Sequence, residues 1–300
     1  MIGNTPSTSA QSRGLHALPA RRSRADRLFL RRFGAGIRAP HLAWNGGLGA
    51  AGARRDRVGR VLRGGAIGYT NAGIDFANSV NDLSSFIVRN SIFESIVGGF
   101  TTMGKASTNG GHYGFFAGYN QAWEGGAILG LEVNYSRLSL TTGASDTNSL
   151  RIANDATAPP GHHFFYDPFT VTGAATIHIT DLASFRARAG WAAGQFMPYA
   201  FGGVAIARAD SDRLATVSYT RKDVPDSTVP PTAPLPTATF GPVTQSDGNK
   251  GRFYYGYALG IGLEACIMPN VFLRGEWELD NFQSLRANVN NARAAIGVRF

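Results

Sequence analysis

Cysteine occurs only once in the 300 residues, at Cys266. This single thiol excludes a disulfide framework and a cysteine-based zinc site. A long apolar run is also lacking, because the best uncharged stretch, residues 195–207, is glycine-rich and contains Pro198. A membrane-spanning helix needs about 18 or more apolar residues in succession. The sequence therefore excludes a helical membrane protein.

Acidic residues are scarce at the start of the chain. The net charge is +9, yet residues 1–65 alone contain 13 Arg and only two acids, Asp26 and Asp56. The rest of the chain is therefore close to neutral, and the basic character belongs to one segment. Neither part offers the basic surface with stacking aromatics that nucleic acid requires, so we expect no nucleic-acid partner.

Residues 1–63 show neither the period of a strand nor that of a helix. An arginine-rich, acid-poor tract without apolar periodicity is typical of disorder. Arginine pairs occur at Arg21–Arg22 and Arg31–Arg32, but no apolar segment of the kind found in export signals follows either pair. We predict a disordered or mis-translated segment over 1–63 and one folded domain over 64–300.

From Gly64 onward the hydrophobicity alternates. Between Phe253 and Ile267 every odd-numbered position is apolar, while the even-numbered positions are mostly glycine and alanine. With 38 Gly, 19 Phe and 10 Tyr, the composition also favours β structure. We predict strands near residues 64–76, 111–123, 127–140, 170–193, 198–210 (or to 220), 251–267, 271–282 and 287–300.

The fourth predicted strand is long, and Thr180–Ala183 could be a turn inside it. Ile177, Ile179, Phe185 and Ala187 are all odd-numbered, which predicts one uninterrupted alternation. Not splitting the strand gives eight strands, and single-chain bacterial barrels have an even number. Short turns are predicted at 124–127, 194–198 and 268–270, and long loops at 77–109, 141–169 and 211–250.

Aromatic and charged residues separate a membrane barrel from a soluble antiparallel sandwich. Aromatic residues near the strand ends predict an interfacial girdle: Tyr113, Tyr119, Trp123, Tyr135, Trp191, Tyr255, Tyr257 and Trp277. Charged residues on the opposite faces predict a network inside the barrel: Glu132, Arg186, Arg188, Glu264, Arg274, Glu276, Glu278, Arg293 and Arg299. The sequence thus predicts an all-β, eight-stranded antiparallel transmembrane β-barrel with long extracellular loops.

Several short motifs carry a family resemblance. They are Gly114–Asn120, Leu131–Val133, Phe185–Trp191, Pro198–Ala205 and the terminal Val298–Phe300. In this order they resemble the small outer-membrane barrels of alphaproteobacteria, the outer-membrane immunogenic protein or porin-like family, which shares the architecture of the OmpA barrel. The resemblance implies a Gram-negative outer-membrane location, and Phe300 is similar to the signal that the barrel-assembly machinery reads.

The front of the chain departs from that family. Members begin with a secretory signal, and their first strand opens with an aromatic and glycine motif of which only Gly64–Tyr69 is present here. Residues 57–63 replace the remainder, and a one-base displacement of a possible coding sequence would restore Gly-Phe-Tyr. We interpret the head as a frame-shifted or mis-annotated start.

Candidate chemical groups are few. His162 and His163 are adjacent in a loop near Asp155, which rarely gives the fixed geometry of a metal site. His178 has no nucleophile or orienting acid in sequence context, and Cys266 fits inert packing. We therefore predict no catalytic residue, no metal and no cofactor. Residues 83–100 form an apolar helical stripe that predicts a helix across the barrel mouth.

Two functional classes follow. The favoured one is a non-enzymatic outer-membrane barrel with a side-chain-filled lumen, which supports the envelope and displays its loops for surface interaction. The alternative is a porin-like small-solute channel. A lipid-modifying enzyme barrel and a soluble binding barrel rank below both. The expected partners are outer-membrane lipid, lipopolysaccharide and the barrel-assembly machinery, with the protein itself a monomer.

Overall fold

The computed structural model describes residues 59–101, 103–227 and 233–300. Eight antiparallel strands close into a barrel in chain order, as the sequence predicted. Their bounds are β1 Gly59–Asp75, β2 Lys105–Ala122, β3 Ala127–Ala153, β4 His162–Trp191, β5 Phe196–Pro225, β6 Ala238–Met268, β7 Val271–Phe282 and β8 Ala287–Arg299. Two short helices, α1 Asn81–Ile87 and α2 Glu94–Val97, follow β1, and a 3-10 turn over Gln283–Leu285 joins β7 to β8.

The barrel closes where β1 pairs with β8, from Leu62 opposite Arg299 to Ile74 opposite Ala287. The first strand begins at Gly59, five residues before the predicted strand start at Gly64. The reason is that the alternation already starts there, with Val61 exposed and Leu62 buried. The prediction made for residues 1–58 lies outside the described residues.

The strands differ greatly in length, and the longest ones include residues that the sequence analysis assigned to loops. β2 pairs with β3 only as far as Tyr113 and Arg137, and β6 pairs with β7 only as far as Tyr257 and Asn281. Beyond these points β3 to β6 continue as a four-stranded sheet, called the extension below. Its segments are 138–153, 162–179, 209–225 and 238–256.

Most of the predicted loops 141–169 and 211–250 therefore lie in strands. Their outward positions carry hydroxyl side chains, which pair across the strands, as Thr147 does with Thr172 at 3.0 Å. Thr216 and Thr244 make the same contact at 2.9 Å. β-Branched threonine suits a strand although it is polar, so the low hydrophobicity of these segments hid their strand character.

The fourth strand is uninterrupted, but its alternation is not. Its pairing with β5 shifts between Ile179 and Asp181, which is a β-bulge. Before the bulge Ile177 and Ile179 point inward and are buried, whereas after it Phe185 points outward and is 53% exposed. The predicted strand count was right, but the prediction of one continuous phase was wrong.

The extension holds a hydrophobic core of its own. Phe93, Val97 and Phe100 of the predicted helical stripe are buried against strand residues such as Phe169, together with Val88, which the stripe did not include. Phe93 contacts Tyr166 edge-to-face, with ring centroids 4.6 Å apart. Phe86 and Ile96, which the stripe also included, are exposed. Among the described residues, the structure contains no helix with the length and apolarity of a membrane span.

Candidate functional site: the barrel interior and its outer belt

The outside of the barrel wall is apolar. On β3 the outward residues Leu129, Leu131 and Val133 are each about half exposed, and the strands around the barrel repeat this pattern. The exposed set in the wall includes Ile67, Phe115, Phe185, Val204, Leu259, Ile261, Leu263, Leu273 and Ile296. The belt faces outward because each strand alternates, with small or charged residues on its inner side.

The eight predicted girdle residues belong to this outer surface. Seven are exposed: Tyr113, Tyr119, Trp123, Trp191, Tyr255, Tyr257 and Trp277. Tyr135 is half-buried, and its hydroxyl donates to Asp181 Oδ1 at 2.6 Å. Trp123 and Trp191 lie at strand ends beside the short turns, while Trp277 lies in the middle of β7.

The inside of the barrel is filled by ion pairs centred on Arg186. Its guanidinium donates to Glu132 Oε1 at 2.5 Å and to Glu276 Oε1 at 2.8 Å. It also reaches Glu278 Oε2 at 3.3 Å. These side chains are almost completely removed from solvent, so each charge depends on its partners.

Two further arginines bridge the remaining carboxylates. Arg188 donates to Glu132 Oε2 at 2.9 Å and also contacts Glu264. Arg274 donates to Glu264 Oε1 at 2.7 Å and lies 2.9 Å from Glu132 Oε2. Glu132 therefore accepts from three guanidinium groups, because it projects from β3 into the centre of the barrel.

Arg293 completes the network from β8. It donates to Glu276 and lies 2.6 Å from Glu278 Oε2. Four arginines and four glutamates are thus joined in one charge-balanced cluster, called the lumen network below. The ninth predicted residue, Arg299, lies apart from it and donates to the sulfur of Cys266.

Aromatic and polar residues that the sequence analysis did not single out fill the space around the network. Arg186 stacks over Phe201 at 4.0 Å, and Arg274 stacks over Phe116 at 4.1 Å. Tyr199 donates its hydroxyl to Glu276. All of these side chains lie on inward-facing positions of their strands, so face parity was the signal that would have found them.

The lumen leaves little free volume beside the network. A cavity of about 10 Å³ adjoins Asp280, Asn291 and Arg293, and that is room for about one water molecule. Asp280 is buried and accepts from Asn291 Nδ2 at 2.8 Å through Oδ2.

The candidate histidines of the sequence analysis, His162, His163 and His178, lie outside this interior. His163 contacts Asp155 at 2.7 Å through Nδ1 and Asp226 at 2.9 Å through Nε2. Hydrogen bonding to Asp155, and then to Asp226, raises the pKa of His163. His162 pairs with Asp223 at 2.7 Å. Within the described ranges no three metal-binding side chains converge on one point.

Comparison with known proteins gives similar barrels at low similarity. No family model and no curated protein matches the chain. Similar solved structures include Ail of Yersinia pestis bound to a heparin analogue. The sequences are 12% identical, the match covers 80% of this chain and 99% of Ail, and the TM-score is 0.31.

The N-terminal barrel of Pseudomonas aeruginosa OprF is 10% identical over 81% of this chain and 98% of that chain, with a TM-score of 0.34. Neisserial surface protein A has 10% identity, coverage of 80% and 97%, and a TM-score of 0.32. At these values the similarities assign neither a function nor a ligand to this chain.

Proposed function

We propose that this chain is a non-enzymatic outer-membrane β-barrel whose lumen is closed by side chains and which carries the extension outside the membrane. One observation supports this most strongly: the wall is apolar outside and charged inside. A soluble barrel has the opposite arrangement, because it buries its apolar residues.

The outer belt needs an apolar solvent. Residues such as Leu131, Leu259 and Ile261 are about half exposed and adjoin further apolar side chains around the wall. Soluble monomers rarely expose contiguous apolar patches beyond a few hundred Å². Hydrocarbon removes this cost, and the tyrosines and tryptophans at the strand ends suit the headgroup layer.

The lumen network supports a structural role over conduction. Eight strands leave an interior just wide enough for side chains to fill, and here charged and aromatic groups occupy it. A porin-like channel, the alternative, would have to separate Arg186 from buried carboxylates. That separation leaves uncompensated charges, which cost several kcal/mol each.

The two ends of the barrel suggest an orientation. Phe300 lies on the short-turn side, is exposed, and donates its backbone N–H to Val61 at 2.9 Å. The extension rises from the other end. We assign the short turns to the periplasm and the extension to the cell surface, in contact with lipopolysaccharide. Recognition of Phe300 by the barrel-assembly machinery and a monomeric state belong to the same proposal.

The proposal is tested by fractionation and by conductance. We expect the protein in the outer-membrane fraction, with heat-modifiable migration on gels. The purified barrel in planar bilayers should give no steady single-channel current. Steady currents from the unmodified protein would support the channel alternative instead, and recovery as a soluble protein without detergent would refute a membrane barrel.

A further inference from the structure

A cleft lies at the outer rim, where the barrel wall changes height. β6 continues beyond its last pair with β7, at Tyr257 and Asn281, whereas β7 ends at Phe282. The unpaired edge of β6 therefore stands beside the lower β7–β8 turn. The space between them measures about 610 Å³ and is called the rim cleft. Its lining includes Asp75, Arg213, Asn249, Arg252, Tyr254 and Arg286.

Three arginines and one aspartate line the rim cleft, and the arginines differ in how far they are already paired. Arg213 is already engaged, with Asp82 Oδ1 at 3.1 Å and with Asp247. Arg252 instead lies over the ring of Tyr254, 5.7 Å from its centroid. Arg286 gives one hydrogen bond to the Ala77 carbonyl at 2.9 Å. Most donors of Arg252 and Arg286 therefore remain available to a ligand.

The backbone holds these two arginines in place. Arg286 adopts a left-handed conformation with φ of 48° at the end of the 3-10 turn. Its carbonyl accepts from the Asp75 N–H at 3.1 Å, which ties the turn to β1. Arg252 follows Gly251, whose N–H donates to Asp210 Oδ1 at 2.6 Å. Both cations are thus positioned by elements of the rim without being neutralised there.

The remaining lining matches a sugar. Asn78, Asn249 and Ser284 supply amide and hydroxyl groups, and Tyr254 supplies an aromatic ring. Arginine binds phosphate through paired N–H donors, and the cleft volume lies within the usual range for small-ligand sites, roughly 300–1,000 Å³. Tyr255 and Phe253, exposed on the outer face of β6, place the cleft at the level of the aromatic girdle.

We infer that the rim cleft binds a phosphorylated saccharide, with Arg252 and Arg286 holding the phosphate. This inference rests on the proposed membrane orientation, which brings the cleft to the headgroups of the outer leaflet. The same chemistry occurs in a glycolipid headgroup and in a free sugar phosphate, so the experiment includes both sources.

The test uses the barrel in phosphatidylcholine nanodiscs. One arm titrates free glucosamine 1-phosphate by calorimetry, with glucosamine as the comparison ligand that lacks the phosphate. The other arm adds lipid A to the discs and measures its retention on the repurified barrel by mass spectrometry. The variants are Arg252→Gln/Arg286→Gln and the control Arg89→Gln. Arg89 is a suitable control because it is exposed and stacks on Phe86 at 4.3 Å, outside the cleft.

We expect the double variant to lose at least about tenfold in affinity for each arginine removed, while Arg89→Gln binds normally. Binding of lipid A alone would identify the membrane as the source, and binding of both would show that the headgroup suffices. Undiminished binding by the double variant, equal binding of glucosamine, or no binding in either arm would overturn the inference. Failure to enter nanodiscs would instead refute the proposed function, so the two failures are distinguishable.

Discussion

Arg186 and Glu132 face each other directly in the register of β3 and β4, and Arg186 Nη2 lies 2.5 Å from Glu132 Oε1. Neither side chain is more than 1% exposed. A pair so fully removed from water contributes by mutual compensation: each charge offsets the desolvation of the other. The structural value of the lumen network therefore appears mainly when one member is removed.

Replacing Arg186 with methionine tests this dependence. The change leaves Glu132 and Glu276 short of a partner, and we expect the free energy of unfolding from vesicles to fall by roughly 3–5 kcal/mol in urea titrations. Arg137→Gln is the matched control, because Arg137 also pairs with an aspartate but its side chain is 49% exposed. It should cost about 1 kcal/mol or less. Similar losses in the two variants would contradict the compensation argument.

The apolar belt predicts a different response to a new charge. Leu131→Arg places a cation on the outer wall, and we expect it to destabilise the barrel in vesicles by roughly 2–4 kcal/mol. Ser149→Arg makes a comparable change on the exposed face of the extension, outside the belt, and should be nearly neutral. A large cost for Ser149→Arg, or none for Leu131→Arg, would mean that the membrane contacts another part of the surface.

Phe93 is the aromatic centre of the core in the extension and is 2% exposed. Phe93→Ala should remove roughly 3–5 kcal/mol of local stability through the cavity it leaves. We expect faster hydrogen exchange in α1, α2 and the outer part of β4, with the barrel wall unaffected. Phe86→Ala, at an exposed position of the same segment, is the control. Uniform acceleration throughout the barrel would show that the extension does not open independently.

His163 predicts a pH dependence at the tips of the extension. Both ring nitrogens face carboxylates, of Asp155 and Asp226, so only the protonated ring donates to both. Because the hydrogen bond with Asp155 and then that with Asp226 raise the pKa of His163, its stabilising effect is complete below the unfolded value of about 6.5. It is lost as the pH rises through the folded-state pKa.

The contact between His163 and Asp155 shifts the pKa of the aspartate in the opposite direction. The hydrogen bond from His163 lowers the pKa of Asp155, so this contribution is lost as the pH falls through the folded-state pKa of Asp155. We expect amide protection near residues 154–163 to be greatest between the unfolded-state pKa values of Asp155 and His163, about 3.9 and 6.5. His163→Gln should abolish the alkaline loss, whereas His178→Gln should retain it, since His178 contacts Ser139 elsewhere.

The sequence predicts a strand well where its alternation of apolar and small or polar residues reflects a single difference between its two faces. β6 near Leu259 and Ile261 alternates because one side forms the exposed apolar belt and the other side faces the lumen. The rule fails near Ile179, where an apolar side chain packs inside the extension while Phe185 faces outward. Both positions are apolar, so composition does not reveal the β-bulge between them.

The sequence was enough to predict which residue types fill the interior, but not which side chains contact one another there. Charges on inward positions must pair, which was enough to group Glu132 with the arginines. The sequence did not reveal that Arg299 would turn to Cys266, nor that Asp280 and Tyr199 would line the same interior. Those contacts depend on the stagger of strands that are distant in the chain, such as β5 and β7, across the lumen.

Every strand pair except β1 with β8 joins neighbours in the chain. The hairpins can therefore form from local contacts, while closure must bring Leu62 to Arg299 across the whole domain at a much greater cost in loop entropy. Before that step the molecule is an unclosed sheet with two bare edges, and such edges are prone to pair with other chains. The slow and hazardous moment in the biogenesis of this protein is thus the meeting of its first and last strands.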